Sequence, residues 1–138
     1  MVITKKIELR MKGDCDIVDI TPEVNEFLRG SMLEAGTATV FVAHSTAAVT
    51  TIEFEAGLLK DFKAMFDRVV PMDVAYDHDS GSGEGNGHAH VRASLIGPSV
   101  SVPFENGKLL LGTWQNIVLI DFDNRPRTRR VVFQFVGE

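Results

Sequence analysis

A chain of 138 residues, 44% hydrophobic and 24% charged, has the size and composition of one soluble globular domain that can bury a core without staples. Its single cysteine, Cys15, excludes an internal disulfide and fits a reducing cytoplasm, while the start Met1-Val-Ile-Thr-Lys-Lys lacks a secretion signal and no stretch approaches the ~18 apolar residues of a membrane span. A net charge of −5, with one basic cluster at Arg125, Arg127, Arg129 and Arg130, argues against nucleic acid and for a small anionic ligand.

In chain order, Ile7, Leu9 and Met11 alternate with Lys6, Glu8 and Arg10, the period of a half-buried strand over residues 3–11. Gly13 to Asp16 predicts a turn, after which Ile17 to Ile20 can pair back. Thr21-Pro22-Glu23 offers a hydroxyl cap, a proline at the first helical position and a carboxylate near the positive helix end. Val24, Phe27, Leu28 and Met32 then keep helical spacing, with Gly36 as the stop. Thr39 to Ala43 is an apolar strand that runs into His44-Ser45-Thr46. Ala47 to Ile52 predicts another strand or a tight connection, followed by Glu53. Leu58, Phe62, Met65, Phe66 and Val69 form a second amphipathic helix, closed by Pro71.

Residues 77–94 then concentrate chemistry: Asp77-His78-Asp79, a Gly/Ser run, and Asn86-Gly87-His88-Ala89-His90, holding three of the four histidines. Imidazole binds transition metals and titrates near neutral pH, so such a cluster points to metal binding or proton transfer. A solvated polar loop that collects Asp, Gly and His for turn geometry is the competing reading. Residues 87–96 read as helix or strand. The Asn86 cap, the Gly97-Pro98 stop and Ala89, Arg92, Ala93 and Leu95 between them favour helix, which puts His90 and Ser94 on one face and His88 elsewhere. Beyond Pro98 the pattern is β: Ser99 to Phe104 and Lys108 to Leu111 around an Asn106-Gly107 hairpin turn, then Ile117 to Phe122, a turn at 123–126, and Arg130 to Val136. Seven or eight strands with two to three helices and no βαβ alternation at the end predict a single α+β domain over 1–138, its antiparallel or mixed sheets forming a sandwich or barrel-like arrangement.

The runs His44-Ser-Thr-Ala-Ala-Val-Thr, Tyr76-Asp-His78-Asp79, Asn86-Gly-His88-Ala-His90-Val-Arg-Ala-Ser94-Leu-Ile-Gly97-Pro98-Ser99 and Gly112-Thr-Trp114-Gln115, with Glu53 between the first two, together resemble the YjbQ-like family, also described as the secondary thiamine-phosphate synthase enzyme family. The resemblance spans essentially the whole chain. It implies a homotrimer and a site around His44, His78 and His90 with Glu53 nearby. Where the family carries an Asn-Glu-Asn-like run this chain has Ile52-Glu53-Phe54, so the flanking asparagines have no counterpart.

With that resemblance, His44, His78 and His90 are expected as ligands of a divalent metal, zinc ahead of magnesium, leaving an open position for water or substrate; hydrogen-bonded structural imidazoles are the alternative. Glu53 is the expected general base, or else a first-turn carboxylate of the next helix. Arg92 is expected to act on an anionic, phosphorylated substrate contacted by Ser45, Thr46, Asn86 and Ser94. Asp77 and Asp79 are offered as acceptors that orient an imidazole, and His88 as a supporting or loop residue. Trp114 and Phe104 suit a core or a trimer interface, and Cys15 has no partner to make it a nucleophile. Two functions compete: a cytoplasmic small-molecule enzyme, in the family's version joining a pyrimidine diphosphate to a thiazole phosphate with loss of diphosphate, or a non-catalytic trimer binding a metal or an anionic metabolite. Diphosphate sites usually hold magnesium on carboxylates, and the imidazole-rich set favours a different native reaction such as metal-dependent hydrolysis.

Overall fold

The amino-terminal alternation becomes strand β1 (Val2–Met11), in which Ile3, Ile7, Leu9 and Met11 turn inward while Lys5, Lys6, Glu8 and Arg10 stay in solvent. The computed structural model describes residues 1–138 and continues with β2 (Asp16–Asp19), α1 (Thr21–Ser31), β3 (Ala35–Val42), β4 (Ala47–Ile52), α2 (Ala56–Val69), α3 (Asp77–Ser82), α4 (Gly87–Ile96), β5 (Ser99–Glu105), β6 (Lys108–Leu109), β7 (Asn116–Asp121) and β8 (Arg127–Gly137). Every strand pair is antiparallel. One sheet has the order β1-β8-β3-β5-β6, the other β2-β7-β4. The expected α+β domain with antiparallel sheets is what forms, and no helix is long and apolar enough to cross a membrane.

The smaller sheet lies in the middle of the molecule. On one side Val49, Ile117 and Leu119 pack with Val40, Phe133 and Phe135 of the larger sheet and with Val24 and Leu28 of α1. On the other, Ala48, Val118 and Ile120 meet Phe66 of α2 and Ala89 and Ala93 of α4. Burial on both faces explains why β7 reads as an unbroken apolar run instead of alternating.

Several local expectations shift. Helix α1 stops at Ser31, short of Gly36, because the Ser31 hydroxyl donates to Leu28 O (2.6 Å) and accepts from Leu33 N–H, and Met32 closes the turn at a left-handed φ of 62°. Thr21 does not cap α1: its Oγ1 accepts from Ile117 N–H at 2.8 Å, tying the helix to β7, and Asp19 accepts from Thr21 N–H. Strand β2 pairs with β7, not back on β1. The helix count rises to four because Asp77–Ser82, without apolar spacing, forms the short α3, while residues 87–96 are helical as their cap and stop suggest. Asn106-Gly107 makes the β5–β6 hairpin, both residues at positive φ, 54° and 69°.

Phe133 is fully buried between the sheets, its ring 5.7 Å from that of Phe27. Truncation to alanine leaves a cavity this packing cannot close, so Phe133→Ala is expected to lower stability by about 3–5 kcal/mol, read from the urea unfolding midpoint.

Candidate functional site

Pairing of Ala47 with Asp121 brings two chain crossings to the same end of the smaller sheet. The β3–β4 connection carries His44, Ser45 and Thr46, and the β7–β8 turn carries Asp123 and leads into Arg127, Thr128 and Arg129. Phe122 N–H donates to Thr46 O and Ala43 N–H to Arg130 O, locking the two segments side by side. The α3–α4 junction adds Glu84, Asn86 and His90, and the three segments enclose a cavity of about 450 Å³ without one hydrophobic residue in its lining. A smaller cavity of about 240 Å³ lies beside it, where Ser94 joins His44, Ser45 and His90. His90 and Ser94 therefore do share a face of α4.

The wall of the larger cavity is held by a buried ion network. Arg129, 2% exposed, donates Nε to Asp121 Oδ2 at 2.6 Å and Nη2 to Asp121 Oδ1 at 2.8 Å, a two-point clasp on a carboxylate fully removed from solvent. Its Nη2 also donates to Thr46 Oγ1 (2.7 Å), and the Thr46 hydroxyl donates to Asp123 Oδ2 (2.9 Å). Asp123 further accepts from Arg127 Nε at 2.6 Å, Asn124 N–H at 2.8 Å and Asn86 Nδ2 at 3.4 Å. Burial pushes the Asp123 carboxyl up, but the Asn124 N–H, the Thr46 hydroxyl, Arg127 and Asn86 outweigh it and hold the group below its ordinary 3.8. Arg129 is thus committed to the fold. Arg127, with its side chain 29% exposed and Glu84 at 3.6 Å, is the arginine of this wall that can turn to a ligand.

His44 Nε2 accepts the backbone N–H of Arg130 at 2.9 Å. That bond requires an unprotonated Nε2, so the ring is neutral with its proton on Nδ1. Burial and the positive charges of Arg129, Arg130 and Arg127 all hold its pKa below the ordinary 6.5, against Asp121. His78 stands on exposed α3 with its ring edge-on to His90, centroids 4.5 Å apart. His44 and His90 line the cavity and His78 stands against His90 outside that lining, and no group of three His, Cys, Asp or Glu side chains is arranged to hold a metal ion. The ligand trio expected from His44, His78 and His90 is not assembled within one chain, because the Nε2 lone pair of His44 is engaged and a metal could take its place only by breaking the Arg130 bond.

Two expected catalytic residues lie elsewhere. Glu53 follows Ile52, which pairs with Asn116 at the opposite end of β4, about 20 Å of strand from the cavity. Nor does it cap the next helix: that is Glu55, which accepts from the backbone N–H of both Gly57 and Leu58. Arg92 is 1% exposed, donates to Val70 O at 2.9 Å and lies 3.4 Å from Asp67, with its guanidinium over the Phe66 ring. It fastens α4 to α2 and touches neither cavity. Asp79 orients no imidazole; its Oδ1 accepts from Gly87 N–H at 2.8 Å and so caps α4. His88 is buried near Tyr76, where burial and then Arg92 depress its pKa.

The residues left unassigned by sequence are Asp121, Asp123, Glu84 and Thr128. A signal existed for the first two: carboxylates two apart closing an apolar run, followed across a turn by Arg127 and Arg129, also two apart, give like-facing pairs when the turn folds back.

Comparison with known proteins gives a consistent answer. The family model for the UPF0047 protein YjbQ-like proteins matches residues 5–138. The chain belongs to the YjbQ-like UPF0047 family. It is 37% identical over 137 residues to a UPF0047 protein of Methanothermobacter thermautotrophicus, covering 99% of this chain and 94% of that one. The UPF0047 protein YugU of Bacillus subtilis is 36% identical over 134 residues, covering 96% and 98%. Among solved structures, a YjbQ/UPF0047 family protein of Clostridium acetobutylicum superposes with a TM-score of 0.88 at 37% identity, covering 96% and 99%, and a hypothetical protein of Aeropyrum pernix K1 with 0.91 at 30% identity, covering 99% of each chain.

Two outcomes test how this YjbQ-like site is held. A Cβ on Gly87 would stand 2.6 Å from Tyr76 Cβ and 3.1 Å from Asp79 Oδ1, so Gly87→Ala must push α4 off its cap. A loss of about 1–3 kcal/mol is expected in chemical unfolding, with altered ring NMR shifts at His90. His44 and His88, both depressed, favour the folded state above the ordinary histidine value of 6.5, and that contribution is lost as pH falls below it, since the unfolded chain takes up the protons first. Asp123 adds a loss below 3.8. Thermal unfolding should show the midpoint falling on acidification from about pH 7.5 to 5, with a shallower slope in His88→Gln.

Proposed function

We propose that this chain is a small-molecule enzyme that binds a phosphorylated substrate in the cavity between His44, His90 and Arg127. The observation that carries this reading is the wholly polar lining, in which the part-exposed guanidinium of Arg127 stands among the hydroxyls of Ser45 and Thr128, with the Thr46 hydroxyl already given to Asp123. Such a surface offers nothing to an apolar ligand and several donors to an oxyanion.

In this reading Arg127 grips the anion and the Nδ1–H of His44 supplies a neutral donor to an oxygen on which charge develops. His90, with His78 at its ring edge, moves a proton. Asp121 and Asp123 hold Arg129, Thr46 and Arg127 in place, so the donors need no reorganisation as charge builds. With Glu53 far from the cavity and Asp123 held by Arg127 and Thr46, His90 and the exposed Glu84 are the proton carriers of the lining. The reaction that the resemblance implies as a weak or secondary activity, joining a pyrimidine diphosphate to a thiazole phosphate with release of diphosphate, is the first to assay. A divalent ion, zinc ahead of magnesium, would have to sit on His78 and His90 and be completed by substrate oxygens or a neighbouring copy, and no step above depends on it.

The reading includes a homotrimer. Trp114 is 70% exposed, with Leu110 and Phe54 also in solvent, a surface that suits contact with further copies. A non-catalytic anion-binding protein is the second reading, favoured by the commitment of Asp121 to Arg129 and of Asp123 to Arg127, which leaves neither carboxylate free to move a proton.

Titration with inorganic phosphate and diphosphate should show binding that weakens about tenfold in Arg127→Gln, worth ~1.4 kcal/mol. No binding of either anion would overturn the anion reading. Incubation with the two thiamine precursors tests the named reaction, and binding without any turnover would favour the second reading. Elemental analysis of protein purified with zinc supplied tests the metal. Light scattering should give a trimer that Trp114→Glu dissociates.

A further inference from the structure

Asn86 is 1% exposed at the start of α4, and two carboxylates orient its amide: Nδ2 donates to Glu84 Oε2 at 3.2 Å and to Asp123 Oδ1 at 3.4 Å. Ionised carboxylates only accept, so the amide cannot be turned over and its oxygen is fixed on the other side. That oxygen, Oδ1, is shielded from solvent and has no hydrogen-bond partner. An asparagine ahead of a helix ordinarily uses Oδ1 to accept a backbone N–H of the first turn; Asn86 makes no such bond, and the Gly87 N–H is already taken by Asp79. An unpaired buried acceptor is costly, and Asn86 is one of the residues that line the polar cavity, so a group bound there can supply the missing donor once Oδ1 is uncovered.

We propose that the ligand of this cavity carries two recognised groups, an anionic phosphate and, a few bonds away, an N–H or O–H donor that bonds Asn86 Oδ1. The proposal rests on the anion reading above and narrows it to phosphorylated amines and alcohols. Glu84, the most loosely held neighbour of the amide, is the group that shifts when the shielded Oδ1 opens to the donor, while Asp123 keeps Nδ2 oriented. The Glu84 side chain is 52% exposed and reaches Asn86 and Arg127 only at 3.2 and 3.6 Å. Its charge then ranks an ammonium above a hydroxyl. A plain alkyl phosphate fills the same space but leaves Oδ1 unpaired, and a polar site of this kind discriminates against a ligand lacking the donor.

The test compares three probes of equal length, phosphoethanolamine, 2-hydroxyethyl phosphate and n-propyl phosphate, by calorimetric titration of the whole protein, with inorganic phosphate as the reference anion. The first two are expected to bind about tenfold or more tighter than n-propyl phosphate. In Asn86→Ala the gap between hydroxyethyl and propyl phosphate should close, whatever that variant's affinity for inorganic phosphate, and in Glu84→Gln the advantage of the amine over the hydroxyl should shrink. Equal affinity of the unaltered protein for hydroxyethyl and propyl phosphate overturns the proposal and assigns Oδ1 to a buried water. Absence of binding by every probe, inorganic phosphate included, is a separate outcome that overturns the anion reading and this proposal with it. Should Asn86→Ala fail to fold, the comparison on the unaltered protein decides alone.

Discussion

The Arg129–Asp121 clasp is the constraint on which the site depends. Two opposite charges withdrawn from solvent are tolerable only when each is met at close range by the other, and removing either partner would leave an uncompensated charge inside the protein. The pair therefore fixes the end of β7 against the start of β8, and through Thr46 it fixes the β3–β4 connection as well. Every polar group of the larger cavity hangs from one of those segments, from α4 or from the α3–α4 junction, which meets them through Asn86 and Asp123.

Helix α4 is positioned by a second set of bonds that lies outside the cavity. Asp79 caps its first amide, Gly87 admits Tyr76 at a distance no side chain could share, and Arg92 ties its middle to the end of α2. These contacts place His90 at the cavity and hide His88 behind it. A histidine, an arginine and an aspartate from the most motif-like run of the sequence thus serve packing, while the neighbouring histidine and asparagine line the cavity. Side chains close in sequence divide between two tasks because a helix turns them to opposite sides.

His44 shows how a backbone group can settle the chemistry of an imidazole. By accepting the Arg130 N–H, Nε2 gives up its lone pair, and the surrounding arginines oppose a second proton. The ring is left with one free donor at Nδ1. That is a different instrument from a metal ligand, whose lone pair must be open, and it suits a site where charge on an oxygen is to be met by a fixed dipole.

By itself the sequence determined the α+β class, the alternation of β1, the strand β7, the Asn106-Gly107 hairpin, the amphipathic α2 and the helical reading of α4, because each is written in periodicity, propensity or turn chemistry over a few adjacent residues. It also singled out His44 and His90 as metal ligands and Ser45, Thr46, Asn86 and Ser94 as substrate contacts, and all six line the two cavities. Only the tertiary structure decided that β2 pairs with β7, that Glu53 stands at the wrong end of β4, that Arg92 is spent on Val70 and Asp67, and that Asp121 and Asp123 anchor the site. The division has one cause: local pattern records which face of an element is buried, whereas the end of a strand at which a side chain arrives, and the partner that claims its lone pair, depend on segments tens of residues away.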